Sequence, residues 1–285
     1  VTSTIDGDVS SATAIASCTV FSGSIAVATN VAGTVNFDGI QEILENLVVE
    51  NVAGLSSLGS DSLRRVDGNF TISNVETLNT LDFPLLAAVD TINFDQLPSV
   101  STFNFSSGLS SVTNVFITNT SLSTLEGINL QNADNIQITD NAHLIRASLP
   151  LETAKDGITV SFNGPLLNLS LPQLTSAGHI ILRNIAAVSL PSLNFLSGIF
   201  TLIETSVTEL ALDSLSVASL NLTLLYNENL TTTSFQGLLS AGSIYIVNNT
   251  ELASISFDKL SEAVNITIEG GLTRYSNSRA STSAS

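Results

Sequence analysis

Residues Gly242 to Ala263 read GSIYIVNNTELASISFDKLSEA. The stretch holds two short apolar alternations, Ile244-x-Ile246 and Ile255-x-Phe257, on either side of an asparagine-rich turn. Alternation over so few positions is the pattern of half-buried strands, whose successive side chains point to opposite faces. Leu252 leads into the second run, and Leu260 and Ala263 follow it. A unit this small cannot bury its own apolar face, so it requires neighbours of the same kind.

The chain supplies them. The first apolar residue of each copy falls at Ile25, Leu47, Phe70, Ile92, Val115, Ile136, Ile158, Ile180, Phe200, Leu222, Ile244 and Ile266. Successive steps are 22, 23, 22, 23, 21, 22, 22, 20, 22, 22 and 22 residues. This spacing predicts an all-β, right-handed parallel β-helix of about twelve coils. Stacked coils share one core, so a single elongated domain is expected over 23–269. At about 4.8 Å per stacked strand its rod would be on the order of 55 Å long.

Each coil follows a grammar. A glycine or turn residue comes first, as at Gly23, Gly68, Gly157, Gly178, Gly198 and Gly242, followed by apolar-x-apolar. An asparagine follows closely: Asn51, Asn74, Asn119, Asn141, Asn163, Asn184, Asn227 and Asn248. Stacked asparagines would hydrogen-bond the turn backbone of neighbouring coils inside the solenoid. The second half reads Leu78, Leu81, Phe83, Leu86, Val89, or Val207, Leu210, Leu212, Leu215, Ala218. Prolines 84, 150, 172 and 191 mark the corner where the second strand ends, because proline cannot donate to a ladder.

The ends break the pattern. Asp6 to Cys18 (DGDVSSATAIASC) is predicted to form a short helix capped by Asp8 or Ser10, within an N-terminal cap over 1–22 that covers the open end of the stack. From Gly270 the chain is Ser-rich without apolar periodicity, so 270–285 reads as a flexible tail.

The 285 residues carry 8 basic and 25 acidic side chains, a formal net charge of -17. That balance disfavours nucleic acid and anionic membrane as partners, since both recruit Lys and Arg. Only 12% of residues are charged, so Ser, Thr and Asn supply most of the polar surface, as expected of a secreted glycoprotein. Eight Asn-x-Ser/Thr acceptors agree: Asn69, Asn104, Asn119, Asn168, Asn221, Asn229, Asn248 and Asn265. In Asn69-Phe70-Thr71 the phenylalanine points inward, so Asn69 and Thr71 face out, where a glycan needs them. The same parity holds for Asn104, Asn168, Asn221 and Asn265, whereas the turn asparagines Asn119 and Asn248 are the least suited to carry sugar. Cys18 stands alone, so a disulfide requires a partner outside this chain, upstream of Val1 in a precursor. No apolar run approaches the 18 residues or more of a membrane span.

Catalytic sets are scarce. His143 and His179 lack matched acidic partners, and two His with one Cys make no zinc set. A glycosidase needs two carboxyls at a defined separation, yet Asp67, Asp90, Asp95, Asp134 and Asp140 read as spread through turns, and Lys155 and Lys259 stand far apart. The outward threonines Thr71, Thr159, Thr201, Thr223 and Thr267 suggest an ice-binding array, but Asn93, Phe116, Gln137, Ile181 and Tyr245 interrupt it. Phe116, Tyr226 and Tyr245 are possible carbohydrate or protein contacts that look scattered over distant coils. Neither a metal nor a cofactor is expected.

Several phrases resemble one family. Ser17–Val27 (SCTVFSGSIAV), Asn36–Asn74, Leu81–Val100, Ile117–Asn141, Ile181–Leu193 (ILRNIAAVSLPSL) and Ile244–Ile255 (IYIVNNTELASI) resemble the fungal GPI-anchored cell-wall organisation proteins. These carry receptor L-domain-like repeats related to leucine-rich repeats. The resemblance implies a secreted, glycosylated, non-enzymatic protein of the cell wall or outer plasma-membrane face. It implies a GPI anchor after a Ser-rich stretch and wall polysaccharide or wall glycoproteins as partners, the membrane being reached only through a lipid anchor that this chain lacks. The alternatives are a receptor-like ligand-binding ectodomain and a wall-polysaccharide-modifying enzyme.

Overall fold

The computed structural model describes residues 2–5 and 19–270 together with the backbone of Arg274–Ser276. It divides into two compact units, Val1–Leu149 and Pro150–Ser285. None of the described residues is helical, and every strand pair is parallel. The proposed helix over Asp6–Cys18, and Cys18 itself, lie outside the described residues.

In the first unit, Leu47–Glu50, Arg65–Ser73, Ala88–Leu97, Ser111–Thr120 and Asn132–Thr139 lie side by side in one sheet after Ser24–Val27. The predicted inward residues are in register: Ile25 opposite Leu47, then Phe70, Ile92, Val115 and Ile136. In the second unit the same holds for Ile158, Ile180, Phe200, Leu222, Ile244 and Ile266. All but the half-buried Ile266 are buried. The result is a β-solenoid of about twelve coils, six in each unit.

Shorter strands close the other side of each coil. In the first unit Ala32–Asn36, Gly54–Gly59 and Thr80–Asp82 pair in turn. In the second, Glu209–Ala211, Thr232–Ser234 and Ser254–Ser256 do so. Leu78, Leu81, Phe83 and Leu86 fill the space between, as do Val207, Leu210, Leu212 and Leu215. Pro84, Pro172 and Pro191 stand in the turns after these strands, and their free carbonyls accept bonds from the next coil, as in Ser192 Oγ to Pro172 O at 2.7 Å.

Two boundaries differ from the sequence expectation. Thr2–Ile5, inside the expected cap, is a strand paired with Ser24–Val27, with Ser3 opposite Ile25 at the 22-residue step. Its polar composition hides it, since only Ile5 is apolar and buried. Arg274–Ser276, inside the expected tail, pairs with Ser254–Ser256. There, backbone pairing continues without the apolar alternation that marks earlier coils.

The asparagine turn resolves into two columns rather than one. Asn51, Asn74, Gln96, Asn119, Asp140, Phe162, Asn184, Glu204, Tyr226 and Asn248 all have φ between 51° and 59°. One left-handed residue per coil ends the long strand and bends the chain inward, a geometry Asn tolerates best among residues with a Cβ. The following residue points into the core: Val52, Val75, Leu97, Thr120, Asn141, Asn163, Ile185, Thr205, Asn227 and Asn249. Asn227 shows why asparagine suits that place. Its Oδ1 accepts from Thr205 N (3.1 Å) and Thr205 Oγ1 (2.7 Å), while its Nδ2 donates to Leu202 O and Asn249 Oδ1 (both 3.0 Å). Asn141 does the same for Thr120, Ile117 and Thr139. Five of the eight expected core asparagines, Asn51, Asn74, Asn119, Asn184 and Asn248, are therefore exposed corner residues, and the buried partner of Asn227 is Asn249.

Much of the varying period is absorbed at the entrance of the long strand. From Val66 to Phe70 is four residues, but from its partner Val89 to Ile92 is three, so the longer coil carries a bulge. The same shift separates Ala154–Ile158 from Ala177–Ile180 and Ala218–Leu222 from Ala241–Ile244. In the second and third cases the unbulged neighbour supplies a glycine where the bulge carbonyl intrudes, whereas Val89–Ile92 holds Asp90 and Thr91 there. A Cβ on Gly178 would lie 2.1 Å from Asp156 O, and one on Gly242 2.1 Å from Leu220 O.

Two outcomes follow. Gly242→Ala is expected to lower stability by about 3 kcal/mol, the upper part of the overpacking range, because backbone and not a flexible side chain must move. Asn227→Ala orphans Thr205 N and Leu202 O and is expected to cost about 3 kcal/mol, given ~1–3 kcal/mol per unmet buried group. Urea denaturation of both, beside Asn184→Gly at an exposed left-handed corner where no loss is expected, checks the pair.

Candidate functional site

The long sheet of each unit turns one face outward, and the registers sort that face into columns. In the first unit the column at the strand entrance is Asn46, Asn69, Thr91, Asn114 and Asn135, after Ser24. Its members bond along the stack: Asn69 N donates to Asn46 Oδ1 (2.8 Å) and Asn114 Nδ2 to Thr91 Oγ1 (3.2 Å). The middle column is Ala26, Val48, Thr71, Asn93, Phe116 and Gln137. Thr71 faces outward as parity requires, yet between Val48 and Asn93 it is only 9% exposed. The face is thus mostly amides and hydroxyls, with Ala26, Val48 and one half-buried ring, Phe116, in the middle column and Glu50 and Asp95 in the column beyond.

The second unit's face differs. Its middle column is Thr159, Ile181, Thr201, Thr223, Tyr245 and Thr267. The next column is Arg183, Ile203, Leu225, Val247 and Glu269, and Tyr226 follows Leu225 at the left-handed corner. Tyr226 and Tyr245 therefore stand in adjacent coils, contrary to the scattered placement read from the sequence. Their linear separation of 19 residues is nearly one coil, and Tyr226 N donates to Val247 O at 3.2 Å. Ile203, Leu225 and Val247 were not singled out from sequence, although each lies one position beyond the inward pair of its coil.

Charged groups gather less. Arg183 donates to Glu204 in the next coil and stacks over Phe162 at 4.7 Å. Asp67 and Asp90 do occupy neighbouring coils, closer than the sequence suggested, but Asp67 bonds Arg65 and Asp90 accepts from Thr91 Oγ1 (3.2 Å) on an exposed surface. The hydrogen bond from Arg65 to Asp67 raises the Arg65 pKa above its ordinary value. His143 is an exposed turn residue in the first unit; His179, in the second, sits 3.3 Å from Thr159 Oγ1. Among the described residues no group of three or more His, Cys, Asp or Glu is disposed to hold a metal.

All eight sequon asparagines are exposed. In seven the middle residue is buried (Phe70, Phe105, Thr120, Leu169, Leu222, Leu230, Asn249), and in the eighth Ile266 is half-buried. Asn119 and Asn248 share this geometry, because it is Thr120 and Asn249 that point inward. Asn104 borders a shallow depression of about 270 Å³ formed with Asn79, Thr80, Leu81, Asp82, Thr102 and Phe103, and its Nδ2 donates to Asp82 Oδ1 (2.7 Å).

Comparison with known proteins places these features. The chain is 30% identical over 190 residues to Protein ecm33 of Aspergillus fumigatus, covering 66% of this chain and 48% of that protein. It is 28% identical to Cell wall protein ecm33 of Schizosaccharomyces pombe (75% and 52%) and 25% identical to a cell surface GPI-anchored protein of Arthroderma benhamiae (93% and 61%). All three are fungal, and two of them are named as a cell wall protein and a cell surface protein. None of these three is named as an enzyme. The chain spans about half the length of the relatives it matches. No family model and no solved structure matches.

Exposure of every sequon makes a direct prediction. Secreted from a fungal host, the chain is expected to carry N-glycans, and each Asn→Gln replacement to remove one glycan's mass. Peptide mass mapping after enzymatic deglycosylation in water labelled with heavy oxygen, which leaves a labelled aspartate wherever a glycan is released, checks site by site.

Proposed function

We propose that the chain is the solenoid part of a non-enzymatic, glycosylated surface protein of a fungus that supports cell-wall organisation and integrity. In this reading it belongs with the GPI-anchored wall-organisation proteins and its coils are L-domain-like repeats. It contacts wall polysaccharide or wall glycoproteins through the outward face of its long sheets. The observation that carries the reading is the surface itself. Eight outward sequons lie on coils whose exposed polar groups are mostly amides and hydroxyls. Such a surface is suited to hydroxyl-rich polymer, and two of the relatives are named as a cell wall protein and a cell surface GPI-anchored protein.

The parts beyond the coarse reading follow the same logic. A continuous solenoid over 23–269 would present one long face, Cys18 would pair with a cysteine outside this chain, and the lipid anchor would be encoded beyond it. Deleting the gene in the source fungus is expected to sensitise cells to Congo red and other wall-binding dyes. The full precursor should restore resistance, and a precursor with a scrambled solenoid should not. Wild-type dye resistance in the deletion strain would overturn the wall role.

A further inference from the structure

The second unit carries an outward strip that nothing else in the fold uses. Ile203, Leu225 and Val247 stand opposite one another on three adjacent strands, all half-exposed. Tyr245 lies in the neighbouring column beside Thr223, and Tyr226, 52% exposed, stands at the corner that follows Leu225. The registers are continuous from Phe200 to Ile203, Leu222 to Leu225 and Ile244 to Val247, so no bulge interrupts the sheet there. Over the inner two columns, Thr201, Ile203, Thr223, Leu225, Tyr245 and Val247 present no charge. At one border Arg183 and Glu204 pair with one another, Nε to Oε2 at 2.9 Å, and at the other Glu269 stands opposite Val247.

We propose that this strip binds a neutral wall polysaccharide chain, with Tyr226 and Tyr245 as the principal contacts. The inference rests on the wall-protein reading for the kind of polymer, but the choice of strip rests on its chemistry. A pyranose ring has C–H bonds on its faces and hydroxyls at its rim. Tyrosine divides the same way, an apolar ring with a polar tip, and the threonine hydroxyls of the middle column lie within the same surface. An uncharged strip on a chain of net charge -17 offers an acidic polymer no attraction.

The sequons argue against a protein in the same place. Asn221 and Asn265 flank Ser243 on either side of the Tyr245 coil, and Asn248 follows Val247 at its other end. Two strand spacings separate the first pair by about 10 Å, and five residues separate Ser243 from Asn248 by about 17 Å. Glycans at these sites would frame the Tyr245 and Val247 part of the strip in a window far below the roughly 800 Å² per partner of a stable protein interface, with the Ile203 end left open. A single extended sugar chain fits such a window.

The test is co-sedimentation of the glycosylated protein, secreted from a fungal host, with insoluble β-1,3-glucan and with chitin. Wild type is expected to be retained on one of them, and Tyr226→Ala/Tyr245→Ala to lose at least tenfold in retention with an unchanged melting temperature. Phe103→Ala, on the opposite side of a coil in the first unit, should retain normally. Undiminished retention of the double variant overturns the strip and leaves the wall role intact. Absence of wild-type retention on both polymers overturns the proposed ligand. Retention that appears only after enzymatic removal of N-glycans also overturns it, because the strip is then covered by the chain's own sugars.

Discussion

The turn after each long strand carries the greatest local constraint in this fold. A coil must leave the sheet and re-enter the core within two residues. The first of those residues adopts positive φ in ten coils, and none of the ten is a glycine. The second must fill the core while backbone groups at the corner go unpaired within their own coil. Where it is aliphatic, packing alone serves. Where it is Asn141, Asn227 or Asn249, a side-chain amide replaces missing backbone partners across two coils, and a buried carbonyl left without such a donor would be costly. Each asparagine is therefore bound to its neighbours in the stack, and no coil is stable independently of the next.

The stacking itself was legible in the sequence because the apolar period holds to within two residues in all eleven steps. Every residue taken as the inward start of a coil sits in register with its neighbour in its unit, from Ile25 through Ile136 and from Ile158 through Ile266. What escaped was whatever does not depend on apolar alternation. Thr2–Ile5 and Arg274–Ser276 pair through backbone, which any residue but proline can do. The two asparagine columns merged because they differ by a single residue, and only φ separates a corner Asn248 from a core Asn249. The aromatic neighbours Tyr226 and Tyr245 escaped for a related reason, since one lies in the strand and the other past its end.

The two units use one architecture for unlike surfaces. In the first, the entrance column of Ser24, Asn46, Asn69, Thr91, Asn114 and Asn135 spends much of its hydrogen-bonding capacity along the stack, which stiffens the face. In the second, that column is interrupted by Gly157 and His179, and the outward residues farther along the strand become Ile203, Leu225 and Val247. Inward positions along the long strands are almost all aliphatic or phenyl, and buried asparagine and threonine are concentrated at the corners. Variation in what the molecule recognises is thus confined to outward columns, one residue per coil, and the spacing of those residues is set by the backbone.

Glycine placement shows how far that backbone dictates sequence. A repeat with a strict period would need no glycine inside its strands, since parallel in-register pairing is satisfied by any extended residue. Here the coil length changes, and the surplus residue is expelled as a bulge beside the sheet entrance. The bulge carbonyls of Asp156 and Leu220 then occupy the space a Cβ would take at Gly178 and Gly242. Those glycines carry φ outside the left-handed region, so it is crowding and not conformation that requires them. Gly178 and Gly242 thus record a length difference between adjacent coils, whereas the Val66–Phe70 bulge stacks on Val89–Ile92 without a glycine, so a surplus residue demands one only where its carbonyl is turned at the neighbouring Cα.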